Sequence, residues 1–147
     1  MPVRILVLSS LLFSILMSAG DWPQAFGPNG NGTVDGKAVS SFSGSENENI
    51  LWRTTMPSTG QGTPIISNGK VFVTSHERIK EDSETGSTIV GICLDAKTGK
   101  KLWQRKIEGT RTTDLSSLFS DNTAASPVSD GERVVFMNVG GTIVCYD

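Results

Sequence analysis

From residue 50 onward the chain is built of short apolar runs separated by turn residues. Residues 50–56 form the first run, with Ile50, Trp52 and Met56 on one alternating face. Residues 63–67 form the second, followed by Asn68-Gly69, the strongest short-range hairpin signal, and then by residues 70–75. Beyond a polar stretch, residues 88–94 and 100–107 supply two more runs. Asp95-Ala96-Lys97-Thr98-Gly99 joins them, with a side-chain acceptor at its start and a glycine at its end, and this predicts a capped tight turn. After the first 20 residues helical periodicity is absent, apart from one turn expected near residues 115–119.

These runs repeat. Leu51-Trp52-Arg53 recurs as Leu102-Trp103-Gln104-Arg105, and the Thr63-Pro64 segment running to Val73 recurs from Ser126-Pro127 to Phe136. Ile92-Cys93-Leu94-Asp95 likewise returns as Val144-Cys145-Tyr146-Asp147. A four-stranded antiparallel unit repeating at roughly 40 to 60 residues is the signature of a propeller blade, buried on both faces by its neighbours. Burial on both faces accounts for Val71-Phe72-Val73 and Val134-Val135-Phe136, which are apolar throughout instead of alternating. The predicted class is therefore all-β, a β-propeller fragment of four-stranded antiparallel blades, about one and a half blades plus a closing strand. Residues 50–56 are the closing strand, 63–107 the first full blade and 123–147 an incomplete second blade. Trp52 and Trp103 are expected to pack between blades.

The chain before the repeats has a different composition. Met1 to Arg4 are positive, residues 5–17 are an apolar run and Ser18-Ala19-Gly20 are small, which predicts a signal peptide over 1–20. The apolar run falls short of the roughly 20 residues that span a bilayer, so no stable membrane span is expected after cleavage. Residues 21–49, rich in Gly, Asn and Ser with isolated Trp22, Pro23, Phe26 and Pro28, are expected to form an extended arm whose aromatics pack on the strands of the repeats.

Charge and cysteine content narrow the function classes. Loss of Arg4 with the leader takes the net charge from −2 to −3, and no basic cluster exceeds a pair, so nucleic-acid binding is not expected. Cys93 and Cys145 permit a disulfide in an exported chain. Because they hold equivalent positions in successive blades, each is expected to be a small buried residue of its own blade, a free thiol too distant to pair. His76 is the single histidine, which excludes a histidine-based metal cluster, and it is expected to be a polar strand-end residue. Glu77, Glu81, Asp82 and Glu84 lack calcium-loop spacing and are expected at a solvated hairpin tip. No Gly-x-Ser-x-Gly elbow is present. No catalytic, cofactor-binding or metal-binding residue is therefore assigned. Strand alternation places Asn68-Gly69 and the 95–99 turn on one face and the long loops 76–87 and 108–122 on the other, and long loops on a rigid scaffold are where binding is expected.

Cys93-Leu94-Asp95-Ala96-Lys97-Thr98-Gly99-Lys100-Lys101-Leu102-Trp103 resembles the alanine-leucine-aspartate, threonine-glycine, tryptophan motif of the pyrroloquinoline-quinone-like (PQQ-like) repeat family. Asp21-Trp22-Pro23-Gln24 with Gly27-Pro28-Asn29-Gly30-Asn31-Gly32 is similar to the start of many exported bacterial members. The resemblance implies an eight-bladed propeller in full-length relatives. Some of these are quinone-dependent dehydrogenases, and others, such as the outer-membrane protein assembly factor, are non-enzymatic scaffolds. The vicinal cysteine pair of the alcohol-oxidising enzymes is missing, and Cys93 and Cys145 replace the alanine of the motif. The expected function is an exported, periplasmic or extracellular, non-enzymatic scaffold that binds a protein or cell-envelope polymer through its long-loop face. The alternative is the N-terminal part of a PQQ-dependent oxidoreductase whose quinone and calcium ligands lie in other blades. Asp147 is equivalent to Asp95, so the chain is expected to be a fragment, with sheet edges that promote aggregation.

Overall fold

The computed structural model describes residues 20–36, 39–77, 87–111 and 121–147. Seven strands and no helix occur among them: β1 (Ile65–Ser67), β2 (Lys70–His76), β3 (Ile89–Asp95), β4 (Lys101–Ile107), β5 (Val128–Ser129), β6 (Val134–Asn138) and β7 (Thr142–Tyr146). They form a four-stranded antiparallel sheet in the order β1-β2-β3-β4 and a three-stranded one in the order β5-β6-β7. The all-β blade architecture expected from the repeat is present. The leader through residue 19, the acidic positions Glu81, Asp82 and Glu84, and the turn expected near 115–119 lie outside the described residues.

Local chemistry explains the turns. Asn68 and Gly69 both have positive φ, 49° and 69°, as a two-residue hairpin between right-twisted strands requires. At the β3–β4 connection Asp95 Oδ1 accepts the Lys97 amide, the Thr98 amide and the Thr98 hydroxyl at 3.1, 2.8 and 2.7 Å. Those bonds, the Thr98 hydroxyl first, hold the exposed Asp95 carboxyl below the usual carboxylate range. Gly99 closes the turn at φ 69°, where a Cβ would also lie 2.5 Å from the Trp52 ring. Glycine is therefore required twice, by the backbone and by the indole that covers it.

The repeat is visible in the pairing. Ile65 faces Phe72 across β1–β2 as Val128 faces Val135 across β5–β6. Phe72 in turn faces Cys93, and Val135 faces Cys145. Both faces of the first sheet are buried. On one face Ile65, Phe72, Ile89, Cys93 and Ile107 pack with Val134 and Phe136 of the second sheet, and Trp103, Val144 and Tyr146 close the cluster. The rings of Phe72, Trp103, Phe136 and Tyr146 meet at tilted or edge-on angles with centroids 5.7 to 6.4 Å apart. On the other face Val90, Ile92 and Leu94 are covered by Trp52 and Met56.

Two expectations change. Residues 50–56 are not a strand: they carry the expected alternation, with 52, 54 and 56 half-buried and 51, 53 and 55 exposed, but they make no ladder. The segment lies across the face of β3, held by Trp52 Nε1 donating to Ala96 O at 2.9 Å and Thr54 Oγ1 donating to Gly99 O at 2.6 Å. Trp52 covers the first sheet as Trp103 covers the second, so the repeat holds in packing although pairing is absent. Both cysteines are free, as expected, but only Cys93 is buried, and Cys145 is exposed. The reason is the face each occupies. The Cys93 face meets the second sheet, whereas the equivalent face of the second sheet, with Ile143 at 67% exposure, meets nothing among the described residues.

Candidate interaction face

The turns sort to two ends of the sheets as the alternation predicted. At one end the Ala96 amide donates to Gly69 O and Asn68 Nδ2 to Gly131 O, which ties the short turns together. A cleft of about 110 Å³ opens there between the sheets, lined by Lys70, Trp103, Glu132, Arg133 and Asp147 among others. Arg133 is already committed, since its guanidinium meets the Asp130 carboxylate at 2.7 Å.

At the opposite end the two long connections leave the sheets, and their roots are held by buried polar side chains. His76 is the polar strand-end residue expected, at the last position of β2, and it is 1% exposed. Its Nε2 lies 3.0 Å from Asp121 Oδ2, and neither ring nitrogen makes a hydrogen bond of good geometry among the described residues. Asp121 Oδ1 accepts both the amide and the hydroxyl of Thr123. Burial pushes the Asp121 carboxyl up, but the interactions with Thr123 and His76 outweigh it and the net shift is downward. Gln61 completes the cluster, with its amide donating to Thr123 Oγ1 at 2.9 Å and its Oε1 accepting the Asp121 amide at 3.0 Å.

A second anchor is Asn138 at the end of β6, fully buried. Its Nδ2 donates to Ser87 O and to Ile107 O, both at 2.8 Å, while its Oδ1 accepts the Gly140 amide at 2.8 Å. Both donors and an acceptor are thus used, and one side chain joins the start of β3, the end of β4 and the β6–β7 turn. Around it Thr142 Oγ1 donates to Glu108 O, and the Arg111 amide donates to Gly140 O. Glu77 pairs with Lys106 across the mouth of the first sheet.

Among the described residues this arrangement holds the roots of the loops. The Ser75 hydroxyl beside His76 is buried and directed at the carbonyls of Ser58 and His76, at 3.0 and 2.9 Å. Neither thiol can join a vicinal pair, because Cys93 lies in the inter-sheet core and Cys145 on the far face of the other sheet. Sequence reasoning placed His76 and the loop ends but missed Asp121, Thr123 and Asn138. The pattern Asp121-Asn122-Thr123, a carboxylate two residues before a hydroxyl, was the available signal for a local Asx turn.

No helix among the described residues is long and apolar enough to cross a membrane. No curated protein and no solved structure matches the chain. One family model does, described as outer membrane protein assembly factor BamB, over residues 82–147, which takes in β3 to β7. Repeated register, repeated tryptophan packing and this match agree in making residues 82–147 similar to the PQQ-like repeat family.

Proposed function

We propose that this protein is an exported, non-enzymatic propeller scaffold that contacts a protein or cell-envelope polymer through the end of the sheets from which the long connections leave. The observation that carries this reading is the pair of buried anchors at that end. His76 with Asp121, and Asn138 with Ser87 and Ile107, hold the roots of both long connections to the sheets. Asn138 uses both of its amide donors and an acceptor, and Asp121 accepts twice from Thr123, so both groups are fixed where the long connections leave. Rigid roots lower the entropy lost when a loop binds. The family description, an assembly factor of the outer membrane, supports an envelope location and a protein partner. No quinone and no calcium ion belong to this reading.

Photo-crosslinking in the native envelope tests it. A crosslinker at Glu77 or Glu108 should give a discrete adduct, and one at Lys97, on the short-turn end, should give none. Equal adducts from Lys97 would move the contact face to the other end and overturn the proposal.

A further inference from the structure

The N-terminal arm does more than lie against the sheets. β1 and β5 are the edge strands of their sheets and they converge, with Ser129 Oγ 3.2 Å from Ser67 Oγ and the Thr63 amide donating to Ser126 Oγ at 2.8 Å. Every second residue of an edge strand points its backbone amide and carbonyl away from the sheet, and such groups invite another strand. Here three consecutive arm residues take three of them and one amide of the adjoining turn. The Asp21 carboxylate accepts the Asn68 amide at 3.2 Å. Trp22 exchanges both backbone bonds with Ile66, its amide donating at 2.8 Å and its carbonyl accepting at 2.9 Å. Pro23 O then accepts the Ser129 amide at 2.9 Å, so the arm crosses from one sheet to the other at this residue. Proline suits that crossing, because it has no amide to leave unpaired where the arm departs from β1.

We propose that the converging edges of β1 and β5 form a strand-addition site for an extended Asp-Trp-Pro peptide, and that residues 21–23 are its built-in occupant, a strap that keeps the site closed. Backbone bonds supply the attachment and the side chains supply the selection, as in other cases of strand addition. The Trp22 ring is half-buried, its Nε1 donates to Ala25 O at 3.3 Å, and Gly27 (φ 73°) passes so close that a Cβ there would stand 3.0 Å from the indole. Engagement stops at this fold-back, for Phe26 is 68% exposed and residues 28–36 lie in solvent. The site is independent of the long-loop end, since it uses the opposite edge of the sheets and none of the anchor residues.

Residue-resolved hydrogen exchange on the full chain tests the proposal directly. The amides of Ile66 and Ser129 should exchange at least about tenfold more slowly than in a variant lacking residues 21–36, while Ile92 and Cys93 stay protected in both. A synthetic peptide of residues 20–29 added to the shortened variant should restore protection at Ile66 and Ser129, and the same peptide with Trp22→Ala should not. Equal exchange at the two edge amides with and without the arm would overturn the proposal, as would restoration by the Trp22→Ala peptide. If the shortened variant also loses protection at Ile92 and Cys93, and so has unfolded, Gly27→Val in the full chain decides. Selective loss of protection at Ile66 and Ser129 supports the strap, and unchanged protection overturns it.

Discussion

Asp121 shows how one carboxylate serves both the fold and the candidate face. Its carboxyl is held below the usual range by Thr123 and His76 against the cost of burial. A group with a lowered native pKa adds stability above its unfolded pKa, and that stability is lost as pH falls through the native value. The unfolding midpoint of the wild-type chain should therefore drop as the solution is taken from about pH 5 to about pH 2, more steeply than that of Asp121→Asn. Thermal melts across that range check it, and parallel slopes for the two proteins would show that Asp121 does not carry the acid sensitivity. His76 was legible as a strand-end residue from its place after an apolar run. Its partner was not legible, because the contact joins β2 to a segment that enters a different sheet.

At the scale of elements, the segment 50–56 separates what alternation means from what pairing means. Half-buried 52, 54 and 56 and exposed 51, 53 and 55 satisfy the period-2 pattern, yet the segment covers a sheet face and joins no sheet. Trp52 is its anchor, with an indole on Val90, Ile92 and Leu94 and a hydrogen bond to Ala96 O. Trp52→Ala should cost about 2 to 3 kcal/mol, through lost apolar contact and an unfilled space beside Gly99. Leu51→Ala, at a side chain 90% exposed, should change stability by no more than about 0.5 kcal/mol. Urea midpoints at constant slope measure both, and equal effects would show that the segment does not dock as described.

At the scale of the molecule, two sheets of equivalent sequence sit in unequal surroundings. The face of the first sheet that bears Cys93 is covered by the second sheet, and the equivalent face of the second, with Val128, Met137, Ile143 and Cys145, is open to solvent. Thiol titration of the native protein should find Cys145 reacting at once. Cys93, whose pKa burial pushes up, should react only when denaturant opens the inter-sheet core. Two thiols reacting together in the native state would contradict the packing of the sheets against each other.

The strands, the hairpin at Asn68-Gly69, the Asp95–Gly99 turn and the equivalence of the two sheets were all determined by the sequence itself. Their causes are local: β-branched alternation, positive-φ residues and a side-chain cap act within a few residues of one another, and the repeat writes them twice. Only the tertiary structure decided that residues 50–56 cover a face, that His76 meets Asp121, that Asn138 binds two sheets together, that Cys145 is exposed and that Trp22 pairs with the edge of β1. Each of these depends on which surfaces converge. A period of two says that a strand has two faces, but the energy of covering one of them comes from whichever distant segment arrives there.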